Sequence, residues 1–315
     1  MDPTPLGREP LPTPDDYRSF WDAALDEASR HPLDVRSTPV VAGLATIDVF
    51  DVSFAGHAGR RVGAWLRMPR GRAGGLPIVV HANGYGAGRL DPIDDLTWSS
   101  AGYAHMVVNT HGQGGASTGH LVDGILLPER SYYRGVFVDV VRAVQAAREL
   151  DGVDPDRIAM IGNSQGGGIA LGVGALVPGL SAVLAQAPFL TDAPEALRLA
   201  TAGPWLELRD YLAEHPDDAD RVAHTLSYVD GVTSARHATA PGWLSSGLAD
   251  TICPPETTRA AADAYAGEVS LTEWPGAGHE AGATADRRTA LDVLRTRFAR
   301  NSPPNHPPDQ LREHT

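Results

Sequence analysis

From residue 76 onward, short apolar segments recur between longer stretches of helical pattern: LPIVVHA, AHMVVNT, RIAMIGN, LSAVLAQAP, APGWLSSG and VSLTEWPG. This rhythm admits few folds. The segments are short and mostly apolar, as expected of strands covered by helices on both faces of a parallel sheet. Strands alternating with helices in this way define an α/β architecture. The upstream segment ATIDVFDVSFAGHAGRRVGAWLRMP instead alternates apolar and polar residues around Gly56 to Gly59, which predicts an antiparallel hairpin. The expected fold is therefore a mostly parallel central sheet with antiparallel N-terminal strands and helices on both faces.

The flanks and one long connection complete the plan. Residues 1–14 contain five prolines and no periodicity, so they read as an arm that wraps the surface or stays disordered. A helix follows in DDYRSFWDAALDEASRH, with Asp15 or Asp16 as its cap and Phe20, Trp21, Ala24, Leu25 and Ala28 as its apolar stripe. Between the fourth and fifth parallel strands, residues 191–235 are helical in pattern and longer than a crossover needs, and predict an insertion over the carboxyl edge of the sheet. Residues 15–299 are expected to form one domain, and the Pro-rich polar tail 300–315 a disordered extension.

One turn in this plan has almost no side chains. In IAMIGNSQGGG, residues 158–168, a strand runs into G-x-S-x-G and then into the helical GGIALGVGALV. Reversing a strand into a helix within a few residues forces the serine into a strained conformation and brings neighbouring backbone close, so bulky residues at 162 and 166 would clash. That context is the one a nucleophile elbow requires, with Ser164 exposed above the sheet and a helix N-terminus behind it. The five residues alone also fit an ordinary turn. A phosphate loop does not fit, because no lysine follows the glycines and G-x-G-x-x-G spacing is absent.

An elbow serine needs a base and an orienting acid, on loops after later strands in the order Ser, Asp, His. WLSSGLADTICPP ends a strand in Asp250, and LTEWPGAGHEAG ends the next in a glycine-flanked His279. Taken singly, Asp250 also fits a cap for the helix beginning near Pro255, and His279 an ordinary surface histidine. A zincin reading of His279-Glu280 fails because Ala283 stands where H-E-x-x-H needs its second histidine. The oxyanion donors expected are the backbone N–H groups of Gln165, which follows the nucleophile, and of Tyr85 in the loop NGYGAGR, where Tyr85 also fits a wall of the site.

Charge and cysteine content narrow the partners. A net charge of −13 opposes binding to nucleic acid or an anionic membrane surface, and no apolar run approaches the roughly 20 residues that span a bilayer. The acidic, Pro-rich start lacks the pattern of a secretory signal, which makes cytoplasmic residence the expectation. The single cysteine, Cys253, excludes an intrachain disulfide and a multi-cysteine metal cluster and reads as a packing or loop residue. No metal or cofactor is implied.

Five segments, SYYRGVFVDVVRAVQAAREL, IGNSQGGGIAL, TLSYVDGV, GLADTICPPETT and GAGHE, resemble in order those of the acetyl xylan esterases and cephalosporin C deacetylases, carbohydrate esterases of the α/β-hydrolase fold. The likeness runs from about residue 12 to 299. It implies serine-dependent removal of small acyl groups, chiefly acetyl, from sugar hydroxyls and related alcohols. It also implies roles for Ser164 as nucleophile, His279 as base, Asp250 as orienting acid, and Tyr85 and Gln165 as oxyanion donors. The 191–235 insertion is similar to a helical extension that helps build a homo-oligomer in that family, a doughnut-shaped hexamer with active sites facing an inner cavity. Two positions depart from the pattern. His111-Gly112-Gln113-Gly114 stands where the family usually has R-G-Q-G, and HANGYGAG where it usually has H-G-Y-N-G-G. Other acyl hydrolases on this fold (a peptidase, a lactonase, a hydrolase of specialised metabolism) and a non-catalytic binding protein remain as alternatives.

Overall fold

A computed structural model describes residues 5–71, 74–113 and 120–300 of the 315-residue chain. In chain order the elements are α1 (Tyr17–Ser29), β1 (Arg36–Val40), β2 (Ile47–Ala55), β3 (Arg61–Pro69), β4 (Leu76–Ala82), α2 (Thr97–Ser100), β5 (Ala104–Asn109), α3 (Tyr132–Arg148), β6 (Val153–Asn163) and α4 (Gln165–Leu176). There follow β7 (Ala182–Gln186), α5 (Ala193–Leu199), α6 (Trp205–Glu214), α7 (Ala219–Ser227), α8 (Gly231–Ala235), β8 (Gly242–Gly247), α9 (Pro255–Ala264), β9 (Val269–Trp274) and α10 (Thr284–Arg300).

Among the described residues the strands form one nine-stranded sheet in the order β1-β2-β3-β5-β4-β6-β7-β8-β9. The pairs β1–β2, β2–β3 and β3–β5 are antiparallel, and every pair from β5 to β9 is parallel. The hairpin read from residues 45–69 is β2–β3, and the six apolar segments are β4 to β9. β1 was not legible: RSTPV has no buried position, and Pro39 suits only an edge strand.

Period-two alternation divides the core. Ile78 and Val80 of β4 and Val183 of β7 face a large core built with α1, α3, α4 and the insertion helices. Val79, Ala159, Leu184 and Trp243 face the other way, against Trp98 of α2 and Ala290, Leu294 and Phe298 of α10. Tyr17, Trp21, Ala24 and Ala28 are the buried face of α1, with Phe20 and Leu25 at its margin. Trp21 stacks on Phe137 of α3 at 5.4 Å and donates Nε1–H to the Tyr228 carbonyl.

Asp16 precedes α1 but does not cap it with its side chain; its carboxylate accepts the Tyr228 hydroxyl at 2.5 Å, a tertiary partner that outcompetes the local N–H groups. The described part of the arm runs along the surface, with Leu11 buried and Arg236 donating to the Leu11 carbonyl and the Thr13 hydroxyl. Residues 301–315 of the tail lie outside the described residues. The insertion forms α5 to α8, anchored by Trp205, Leu208 and Leu212 and by Asp230, which accepts N–H groups from Asp192, Ala193 and Val232. Among the described residues no helix is long and apolar enough to cross a membrane.

Candidate active site

Ser164 sits between β6 and α4 with φ 55° and ψ −122°, a conformation that costs about 1–3 kcal/mol for a non-glycine residue. The backbone is pinned on both sides: its N–H donates to Gln186 O at 2.9 Å, and its carbonyl accepts from Phe189 at 2.9 Å and Gly168 at 3.1 Å. The glycines are steric requirements. A Cβ at 162 would lie 2.2 Å from Gly166 backbone, and one at 166 would lie 1.9 Å from Ala82 O.

Two residues distant in sequence meet this serine. His279 Nε2 is 2.9 Å from Ser164 Oγ, and its Nδ1 is 2.8 Å from Asp250 Oδ2. The Asp250 side chain is fully buried, and its other oxygen accepts N–H groups from Ile252 at 2.8 Å and Cys253 at 3.0 Å. Asp250 does not cap α9, whose N-cap position is Pro254 without a side-chain bond. With the carboxylate accepting, the imidazole proton sits on Nδ1 and the Nε2 lone pair faces the hydroxyl, the arrangement that removes a proton from serine. Burial, with Asp250 beside it, pushes the Cys253 thiol well above its usual range, so it stays protonated as a wall of this site.

Gln165 is the first residue of α4, and its backbone N–H has no acceptor among the described residues; its side chain accepts the Tyr133 hydroxyl at 3.0 Å. The loop after β4 passes against the elbow, with Gly84 close enough that an added Cβ would meet Ser164 Cβ at 3.8 Å. The Tyr85 side chain is a wall: its hydroxyl donates to Glu207 of α6 at 3.2 Å and accepts the His120 N–H at 2.7 Å. Gln113 holds this loop from beneath, accepting the Gly86 N–H and donating to the Tyr132 hydroxyl. That hydroxyl donates to His111 O at 2.7 Å.

His111 is anchored on the buried Asp139, Nδ1 to Oδ2 2.6 Å, and the other carboxylate oxygen accepts the His57 N–H at 2.7 Å. Imidazole thus supplies a tether from this loop to α3. Gly114 lies outside the described residues.

Among the described residues, two groups of side chains come near enough for a metal ion: Asp250, Cys253 and His279, and His81, Asp95 and His105. The first is the hydrogen-bonded chain just described. In the second, His81 Nδ1 and His105 Nε2 are 3.2 Å apart, but Arg67 Nη1 stands 3.5 Å from His105 Nδ1, where a ligating imidazole needs an acceptor for its second N–H. Burial lowers His81 to about 4 and His105 well below its ordinary value, so both are neutral near pH 7.

A sheet of this order, with serine on a strand–helix elbow and aspartate and histidine on the loops after β8 and β9, defines an α/β-hydrolase fold. The profile of the acetyl xylan esterases matches residues 7–295, and the chain belongs to that family. Acetyl xylan esterase from Paenibacillus sp. R4 superimposes with a TM-score of 0.87 at 29% identity, over 92% of this chain and 96% of its own. Acetyl xylan esterase 1 from Thermoanaerobacterium sp. JW/SL YS485 gives 0.82 at 26% identity, over 90% and 95%. Acetyl esterase Axe7A of Xylanibacter ruminicola is 26% identical over 266 residues, 78% of this chain, and the chain spans 58% of that relative's length.

Proposed function

We propose that the protein is a serine acetylesterase that removes acetyl groups from sugar hydroxyls or related alcohols. The observation that carries this reading is the continuous chain Ser164 Oγ–His279 Nε2 (2.9 Å) and His279 Nδ1–Asp250 Oδ2 (2.8 Å), with the serine held in a strained elbow. His279 takes the Ser164 proton as Oγ attacks the acetyl carbonyl carbon, and the π electrons pass to oxygen. The oxyanion is held by the N–H groups of Gln165 and Tyr85, at the N-terminus of α4 where the helix dipole favours negative charge. Collapse breaks the ester C–O bond, and the leaving alcohol takes the proton from the imidazolium. Water then attacks the acetyl-enzyme by the same steps and releases acetate, Asp250 stabilising the imidazolium without itself being protonated.

Membership of the acetyl xylan esterase family supports acetyl as the acyl group. The test is p-nitrophenyl acetate turnover by wild type and Ser164→Ala. The expected result is loss of at least about 10³-fold in the variant, and comparable turnover in both refutes the nucleophile. Acetyl, octanoyl and aminoacyl-amide substrates side by side separate an acetylesterase from a peptidase on the same fold, and acetylated sugars against cephalosporin C identify the alcohol.

The assembly is proposed to be a homo-oligomer of the hexameric kind, read by light scattering at micromolar concentration. The compartment is proposed to be the cytoplasm, which suits a lone buried thiol.

A further inference from the structure

The loop that carries His279 is strained in its own right. Ala281 and Ala283 both have positive φ, 46° and 44°, where alanine is disfavoured. Upstream, the loop is tied to the acid loop by backbone, Ala249 N–H to Ala277 O at 2.8 Å. Downstream the anchor is a side chain. Asp286, in the first turn of α10 and 2% exposed, accepts four hydrogen bonds. Its Oδ2 takes the Gly282 N–H (2.9 Å), the Gln186 amide (2.9 Å) and the Ser245 hydroxyl (2.7 Å); its Oδ1 takes Trp274 Nε1–H (2.7 Å).

These donors come from the ends of β7, β8 and β9 and from the histidine loop itself. Gln186 also donates to Glu280 O at 3.0 Å, and its own carbonyl holds the Ser164 N–H. Gly282 must be glycine for this contact, since a Cβ there would lie 2.3 Å from Trp274 and 2.4 Å from Asp286 Oδ1.

We propose that Asp286 is a positioning residue: it clamps the strained 280–283 loop to three strand ends and so fixes His279 between Ser164 and Asp250. It touches no substrate and acts through His279. The inference rests on the esterase reading for its kinetic consequence and on geometry alone for its structural one. A displacement near 1 Å at a general base costs about 10²-fold in rate while leaving ground-state binding intact.

Asp286→Ala is therefore expected to lower kcat on p-nitrophenyl acetate about 10- to 100-fold with KM changed less than about twofold, and to slow fluorophosphonate labelling of Ser164 in parallel. Asp286→Asn, with its oxygen kept in the Oδ2 position, turns an NH₂ toward Trp274 Nε1–H and is expected to lose about tenfold. Adding Trp274→Phe removes that opposing donor. The double variant is expected to recover to within about threefold of Trp274→Phe alone, a rescue that general loosening of the fold would not produce. The downfield Nδ1–H proton resonance of His279, which reports its bond to Asp250 without any turnover, should broaden or move in both single variants.

Folded Asp286→Ala and Asp286→Asn with wild-type kcat and an unmoved resonance would overturn the clamp, as would a loss carried equally by KM. If the alanine variant does not fold, failure of Trp274→Phe to rescue Asp286→Asn overturns it. A wild-type protein with no Ser164-dependent turnover would instead refute the esterase reading, and the resonance would still decide the clamp.

Discussion

Replacing Asp250 by asparagine tests the proposed proton relay at its least substitutable point. The structure dictates how the new amide must sit. Asp250 Oδ1 accepts two backbone N–H groups, from Ile252 and Cys253, and only an oxygen satisfies both. The NH₂ is thereby forced into the place of Oδ2, 2.8 Å from His279 Nδ1, and a donor there requires Nδ1 to accept. The imidazole proton moves to Nε2, which then donates to Ser164 instead of accepting from it. An exchange of this kind, which keeps geometry and inverts the tautomer, costs about 10⁴ in kcat, or about 5.5 kcal/mol at 1.36 kcal/mol per decade. Because shape and backbone bonds persist, the variant should fold, with KM close to wild type. Stopped-flow or steady-state hydrolysis of p-nitrophenyl acetate, paired with a thermal melt, makes the measurement. A folded Asp250→Asn that keeps more than a tenth of wild-type kcat would refute the tautomer argument.

Other outcomes follow from contacts at the elbow and in the insertion. Gly166→Ala drives a methyl into Ala82 O and is expected to cost about 1–3 kcal/mol in urea unfolding and at least tenfold in turnover. Gly84→Ala, whose Cβ would meet nothing nearer than 3.8 Å, should unfold like wild type. Burial, with Asp230 nearby, raises Asp192 to about 6 from an ordinary value near 3.8. The folded state thus binds the proton more tightly, a contribution present below about pH 4 and lost as pH rises through 6. Asp192→Asn should therefore stabilise the protein at pH 7 by up to about 3 kcal/mol, the gap closing near pH 4 in melts at matched ionic strength.

What short-range chemistry controls was legible in the residues. Apolar segments announce β4 to β8 because a strand covered on both faces needs apolar side chains in both directions, whereas β9, an edge strand with no buried position, follows the same rhythm with Ser270, Thr272 and Glu273 among its residues. The glycines at 162 and 166 mark the elbow because backbone crossing backbone leaves no room for Cβ. Asp250 and His279 were candidates by their places after strands, yet each had an ordinary alternative, since 29 residues separate them from one another and 115 separate His279 from Ser164.

Their convergence is a property of strand order, which brings β6, β7, β8 and β9 side by side so that their carboxyl ends share one rim. Tertiary context likewise turned Asp16 from helix cap to partner of Tyr228, seated His111 on Asp139, and gathered four donors around Asp286, a residue with no local signature. Hydrogen-bond partners far apart along the chain are chosen by packing. Local sequence can supply the donor and the acceptor, but only the folded sheet decides which of them meet.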